Sequence, residues 1–253
     1  MQYNITSRQN PRIVEINKLK IKKIRNEKGF GIIEGERIID DAIKQNVHFE
    51  TIVVIDTLKE DYAKLMTKAN CKDFLIVPQN VFNAISNTEN SQGILGVVEI
   101  KNNAFSLPNN KFLVLDNIQD PGNLGTIIRT AVALDYTKIY LYNCVDYAND
   151  KVLRATMGTV FKANLITINE DELKILADKC ILLLADMKGK PLNEIKTQKD
   201  NFGILLCNEG NGPSSVVKTL NVQKISIKMF NDVESLNVAT AGAIIMHAFA
   251  SKE

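Results

Sequence analysis

Asp116-Asn117-Ile118-Gln119-Asp120-Pro121-Gly122-Asn123-Leu124-Gly125-Thr126-Ile127-Ile128-Arg129 follows directly on the apolar run Phe112–Leu115. An apolar run, a Pro-Gly turn and a helical pattern in that order read as a strand-to-helix step of an open α/β sheet. Two more stretches repeat the arrangement. Asn208-Glu209-Gly210-Asn211-Gly212-Pro213-Ser214 follows Gly203–Leu206, and Glu234-Ser235-Leu236-Asn237-Val238 follows Lys224–Met229. Each puts Asn, with Gly or Ser, and at least one charged residue at the expected carboxyl end of a strand, where ligands of such sheets bind. Three polar loops converging on one sheet edge describe a site.

Outward from these loops the pattern stays α/β. Strands are predicted at Lys111–Leu115, Lys138–Tyr142, Ala163–Ile168, Cys180–Ala185, Gly203–Cys207 and Lys224–Ile227, with helices between them. The clearest helix spans about 123–134, where Leu124, Ile127, Ile128, Ala131 and Leu134 mark one buried face. A final helix over about 235–250 carries Ala239, Ala241, Gly242 and Ala243, which permit close backbone approach. Lys101–Asn110, rich in Asn and broken by Pro, reads as a linker. Before it, a basic helix (about 11–26), strands at Phe30–Ile33, Thr51–Ile55, Phe74–Val77 and Ile94–Ile100, and interleaved helices make a small α/β sandwich.

Composition excludes several classes. The chain has 253 residues, 45% hydrophobic and 24% charged, as expected of a soluble globular protein. It holds no run of about 18 apolar residues, and its amino-terminal residues lack a signal-peptide pattern. The four cysteines, Cys71, Cys144, Cys180 and Cys207, are widely spaced, which suits a reducing cytoplasm and argues against a zinc site or a disulfide scaffold. No metal is expected. The two histidines sit near no plausible nucleophile, and HExxH, GxSxG and GxxxxGK[ST] are all missing. GxGxxG is also absent, which counts against an ordinary dinucleotide-binding enzyme. The net charge of +2 conceals an asymmetry. Residues 1–31 hold eight basic and two acidic side chains, a net +6, and the remainder is −4. A polyanion partner or a solvated amphipathic helix would each explain that segment.

The motifs also read physically. Asp120-Pro121-Gly122 turns the chain, and Asn123 stands where an N-cap is wanted. Arg129 lies off the apolar stripe, either as a phosphate-gripping group or in a surface ion pair. Gly210 and Gly212 free the backbone of the second loop, and Glu209 is either a helix cap or a functional anchor. Ser235 is placed to cap the last helix, with Asn237 in its first turn.

Taken together, Asp-Pro-Gly-Asn-Leu-Gly-Thr-Ile-Ile-Arg-Thr-Ala (120–131), Asn-Glu-Gly-Asn-Gly (208–212) and Glu-Ser-Leu-Asn-Val (234–238) resemble the three motifs of the SpoU (TrmH-type) RNA methyltransferases of the SPOUT superfamily. The resemblance covers 111–253. The segments Ile5–Pro11 and Ile33–Arg37 resemble the substrate-binding domain that often precedes it. It implies an RNA substrate-binding domain over 1–105 and a parallel-sheet α/β methyltransferase domain over 106–253, the latter with a deep trefoil knot. It also implies S-adenosylmethionine as cofactor and a ribose 2′-hydroxyl of structured RNA as acceptor. The RNA is expected to be large-subunit (23S) ribosomal RNA, with tRNA or a non-catalytic RNA-binding role as alternatives, and the protein a cytoplasmic homodimer. By position, Arg129, Asn123, Glu209, Ser235 and Asn237 would carry the chemistry. Cys207, Asn208, Glu209, Gly210, Ile227, Met229, Leu236 and Asn237 would hold the cofactor. Arg8, Arg12, Lys22, Lys23, Arg25 and Arg37 are the candidate RNA contacts. Two positions depart from the family pattern: Cys207 replaces a glycine, and Lys228 replaces a proline.

Overall fold

The alternation of apolar runs and helical patterns folds into two units in the computed structural model, which describes residues 1–100, 103–195, 201–231 and 234–250. One unit is Met1–Lys101 with Asp146–Phe161, and the other is Asn102–Val145 with Lys162–Glu253. The first two residues of the expected linker, Lys101 and Asn102, lie outside the described residues. Asn103 and Ser106 from the remainder bond within the second unit, to the Leu165 carbonyl (3.0 Å) and to Lys138 Nζ (2.9 Å).

The first unit runs β1 (Gln2–Asn4), α1 (Pro11–Lys18), α2 (Lys22–Lys28), β2 (Phe30–Glu34), α3 (Glu36–Lys44) and β3 (Phe49–Ile55). It continues through α4 (Ala63–Lys68), β4 (Cys71–Val77), α5 (Gln79–Ile85) and β5 (Ile94–Glu99). Its sheet has the order β1-β4-β3-β5-β2, with β5 antiparallel to both its neighbours. Ile13, Ile16 and Leu19 pack with Val53, Leu75, Phe82 and Leu95 to form the core on one face.

The single basic helix expected over 11–26 is two. The chain breaks at Leu19–Ile21, where Ile21 is extended (φ −91°, ψ 120°). A break leaves carbonyls without helical partners, and Arg25 supplies them. Its Nη1 donates to the Leu19 (2.9 Å) and Lys20 (2.8 Å) carbonyls, and its Nη2 pairs with Asp146 at 2.6 Å. Arg25 is 7% exposed. Its expected role as an RNA contact is therefore corrected to a structural one. Most of the basic excess is likewise engaged. Arg12 pairs with Asp73, Lys18 and Lys28 with Glu15, and Lys20 donates to the Ala84 and Ser86 carbonyls. Arg8 donates to the Asn80 carbonyl, Lys23 lies 3.9 Å from Glu27, and Lys22, Lys23 and Arg37 stay exposed.

The second unit begins with β6 (Phe112–Asp116), α6 (Pro121–Ala133) and β7 (Lys138–Tyr142). The excursion that follows, with α7 (Asp150–Ala155), groups with the first unit. Then come β8 (Asn164–Ile168), α8 (Glu170–Lys179), β9 (Ile181–Pro191), β10 (Phe202–Cys207), α9 (Ser215–Thr219), β11 (Gln223–Ser226) and α10 (Val238–Ala248). The sheet order is β11-β9-β10-β6-β7-β8, and every pairing is parallel. A parallel sheet covered on both faces needs strands that are apolar throughout, and all five residues of β6 are buried.

The chain moves one way across the sheet through β6, β7 and β8, then crosses to β9 on the other side of β6, steps inward to β10 and outward past β9 to β11. The reversal falls between β6 and β10, and crevices that bind ligands form at such points. Two details shape that edge. β9 runs six residues beyond the expected Ala185, because its pairing with β11 jumps from Leu184 to Lys190 and leaves 185–189 looped out toward the carboxyl end. Gly189 allows this, since a Cβ there would stand 2.4 Å from the Ile225 nitrogen. Gly242 lets α10 settle on β10, since a Cβ would meet Leu206 at 2.6 Å.

Candidate active site

The first loop is set by helix capping. Asp120 is the N-cap of α6, and its side chain accepts from the Asn123 N–H at 2.7 Å. Pro121 at the first helical position fixes this register, so Asn123 lies within the first turn and is not the cap. Leu124, Ile127, Ile128 and Ala131 are buried as expected, while Leu134 is the half-buried C-cap. Gly122, Thr126 and Arg129 form the solvent stripe of α6. No hydrogen bond or ion pair engages Arg129 among the described residues, which removes the ion-pair reading of that side chain.

The last helix shows a similar shift. Asn237, and not Ser235, is the N-cap of α10, and its Oδ1 accepts from the Ala239 (3.0 Å) and Thr240 (3.3 Å) N–H groups. Its amide donates to Asn123 Oδ1 at 2.9 Å, tying the third loop to the first. Glu209 ties in the second. Its carboxylate accepts from the Val238 N–H at 2.8 Å, at the positive end of the α10 dipole. Glu209 is thus a cap, and the helix it caps is α10 and not α9, which follows it in the chain.

The second loop is closed by its own side chain. Asn208 Oδ1 accepts from the N–H groups of Gly210 (2.9 Å) and Asn211 (3.1 Å), and the Asn208 carbonyl accepts from Gly212 at 2.9 Å. Gly212 has φ +65°, where glycine is favoured, whereas Gly210 has room for a side chain. Asp116 pins both ends of the loop. Its carbonyl accepts from the Asn208 N–H (3.2 Å), and its carboxylate Oδ2 accepts from the Ser214 N–H (2.7 Å). Asp116 is wholly buried, and its Oδ1 has no partner. That residue stood in the opening motif with no role attached to it.

These loops enclose a cavity of about 240 Å³ at the carboxyl ends of β9, β10 and β11. Leu206, Ile225, Ile227, Met229, Leu236 and Ile245 give it apolar walls, and Asn208, Glu209, Ser235 and Asp186 its polar rim. Of the residues expected to hold a cofactor, Cys207, Asn208, Glu209, Ile227, Met229 and Leu236 line it. Gly210 and Asn237 do not, since the Gly210 N–H is taken by Asn208 and Asn237 faces the helix end and Asn123. Arg129 and Asn123 are outside the wall as well, so Asn237 bridges the cavity side to α6. Ala185, Asp186 and Met187 were missed because they come from the looped-out stretch of β9.

The electrostatics are those of a neutral slot. Burial, reinforced by Asp116, pushes the Cys207 thiol up, so it stays protonated and uncharged. Lys224 bonds Asp186 at 2.8 Å and, with the Lys188 N–H, holds its carboxyl below the usual range, so it is ionised at neutral pH. No backbone hydrogen bond ties 228–230 or 234–236 to another segment among the described residues. An apolar slot with free backbone donors and acceptors at its edge suits a flat heteroaromatic ring whose rim carries nitrogen atoms. The adenosine part of S-adenosylmethionine meets that description. Among the described residues, no group of three or more metal-ligating side chains gathers, and no helix is long and apolar enough to cross a membrane.

Asp116→Ala is expected to raise the dissociation constant of the slot's ligand at least fivefold, about 1 kcal/mol. Stability should change by no more than about 1 kcal/mol, because the carboxylate removed is half-unsatisfied and already carries its desolvation cost. Thermal unfolding alongside calorimetric titration separates the two effects. A variant that binds normally would show that the second loop needs no pin.

Residues 110–247 match the model of the SpoU rRNA methylase family, and residues 10–96 match the MRM3-like substrate binding domain. The 23S rRNA (guanosine(2553)-2′-O)-methyltransferase RlmP of Bacillus subtilis (strain 168) is 31% identical over 248 residues, covering 96% of this chain and 97% of that protein. An AdoMet-bound rRNA methyltransferase from Sinorhizobium meliloti superposes with a TM-score of 0.84 at 26% identity, over 98% of this chain and 97% of the other. A TrmH-family RNA methyltransferase structure from Porphyromonas gingivalis shares the fold, with a TM-score of 0.84 at 23% identity over 95% and 97% of the two chains. Motif order, sheet order and these likenesses agree, and the chain belongs to the SpoU rRNA methylase family.

Proposed function

We propose that the protein transfers a methyl group from S-adenosylmethionine to a ribose 2′-hydroxyl of structured RNA, and that large-subunit ribosomal RNA is its substrate. The observation that carries this reading is the joining of three loops. Glu209 to Val238 and Asn237 to Asn123 connect an apolar slot to the helix that presents an unpaired arginine. The cofactor, when bound, supplies an electrophilic methyl group. Cys207, Asn208, Ile227, Met229 and Leu236 would hold it, with apolar walls that exclude water.

The task of the remaining residues is to place a ribose and ease loss of its hydroxyl proton. A guanidinium keeps its proton at neutral pH, so Arg129 is no ordinary base. It stabilises the developing alkoxide electrostatically, or hands the proton on through an RNA phosphate that it grips. Asn123 and Asn237 fix the start of α6 against α10 and so set where Arg129 projects. The likeness to SPOUT methyltransferases also supports a trefoil-knotted carboxyl-terminal path and a homodimer, and the scattered free cysteines suit a reducing compartment such as the cytoplasm. With Arg25 and Arg12 engaged inside the first unit, Arg8, Lys22, Lys23 and Arg37 are the side chains left to meet RNA phosphates.

The test uses ribosomal RNA from a strain lacking this gene, incubated with the protein and methyl-labelled S-adenosylmethionine. Label is expected in the RNA, and Ala241→Phe, which fills the slot from α10, should remove it while RNA binding persists. Unlabelled RNA with the native protein would refute the assignment.

A further inference from the structure

The first unit has a cavity of its own. About 320 Å³ in volume, it is lined by residues of α1, α2 and the sheet that include Arg12, Glu15, Lys28, Glu50, Thr51 and Asp73. Arg12 was expected to meet a phosphate on charge alone. Its guanidinium instead lies 4.0 Å above the Tyr3 ring and is held by Asp73 at 2.5 Å. A guanidinium fixed in a plane on an aromatic ring offers its other face for stacking, and unpaired RNA bases stack on such planes.

The floor of the cavity is polar. Thr51 is 8% exposed and lines the cavity, and no hydrogen bond engages its hydroxyl among the described residues. A hydroxyl left open at a cavity wall can accept from, or donate to, whatever enters. The backbone is also shaped here. The β3–β5 register shifts between Phe49 and Thr51, a bulge at Glu50 that turns neighbouring side chains out of alternation. One Glu50 oxygen pairs with Lys72, and no bond engages the other among the described residues.

We infer that this cavity receives one unpaired guanine base of the RNA, stacked on Arg12 and read at its edge by Glu50 and Thr51. The inference rests on the RNA reading above. Guanine alone among the four bases presents two adjacent donors, N1–H and N2–H, which match an acceptor wall of carboxylate and hydroxyl oxygens. Its O6 acceptor suits Lys28, the other cation at the cavity, which also pairs there with Glu15. Adenine and cytosine each offer one amino donor beside a ring acceptor, and uracil offers one imide donor between two acceptors.

The experiment uses the full chain and 5′-labelled hexanucleotides, UUGUUU against UUAUUU, UUCUUU and UUUUUU, followed by fluorescence anisotropy. The native protein should bind the guanine hexamer at least fivefold more tightly than the others. Thr51→Val keeps the shape and removes the hydroxyl, and Glu50→Gln replaces one carboxylate oxygen with a donating amide. Each should cut the preference below twofold without changing affinity for UUUUUU or for S-adenosylmethionine. Binding of all four hexamers within twofold, or a preference kept by both variants, overturns the inference. Methyl transfer to ribosomal RNA is measured on the same preparations. Transfer without base preference defeats the guanine pocket alone, whereas base preference without transfer supports the pocket and defeats the methyltransferase reading.

Discussion

Arg129→Ala lowers the single-turnover rate of methyl transfer by about 100- to 1,000-fold while S-adenosylmethionine affinity stays within about threefold, a loss confined to the chemical step. The basis is where the side chain lies. Arg129 is on the exposed stripe of α6 and has no partner, and it contributes nothing to the slot wall. A residue that touches the acceptor and not the cofactor should change the rate constant and spare the affinity. Arg129→Lys keeps the charge but loses the planar fork, so it should recover only a small part of the rate. Calorimetric titration showing cofactor affinity lost together with activity would contradict the division between α6 and the slot.

Glu209→Ala should act at the other end of the arrangement, raising the S-adenosylmethionine dissociation constant about tenfold or more. Glu209 is exposed, yet its carboxylate is the cap on the Val238 N–H that fastens the second loop to the start of α10. Losing a helix-capping bond costs about 1 kcal/mol of stability. The larger consequence is that Ser235, Leu236 and Val238 are no longer held against Cys207 and Asn208 across the slot. Glu209→Gln keeps an acceptor at the same place and should stay within about threefold of the native affinity. An Ala variant as tight as the Gln variant would show that the bond has no part in shaping the slot.

The strands of the second unit were readable in the sequence because a parallel sheet buried on both faces demands unbroken apolar runs, and Phe112–Leu115 and Gly203–Leu206 are such runs. The site loops were readable because Gly, Pro and Asn punctuate where those runs end. Cap positions were misplaced by two or three residues, and one signal was available. Pro121 belongs at the first helical position, so the cap had to be Asp120. No comparable marker precedes Val238, where both Ser235 and Asn237 are competent caps and the choice depends on Glu209 and Asn123, far away in sequence.

What escaped the sequence altogether came from long-range pairing. Asp186 and Met187 enter the slot because β9 slips against β11, and nothing local to Ala185-Asp186-Met187-Lys188 announces a register change. Arg25 was taken for a surface cation because its partner Asp146 is 121 residues away. The charge count over residues 1–31 was correct as arithmetic and misleading as electrostatics, since most of those cations are neutralised or bonded within their own unit.

The central claim is that the methyl group goes to a ribose oxygen, and the chemistry of RNA cleavage tests it directly. Ribosomal RNA labelled by the protein and S-adenosylmethionine is hydrolysed to completion with alkali. A 2′-O-methyl group removes the internal nucleophile, so the adjoining phosphodiester survives and the label is predicted in an alkali-resistant dinucleotide. Label released in mononucleotides would place the methyl on a base and contradict the role given to Arg129.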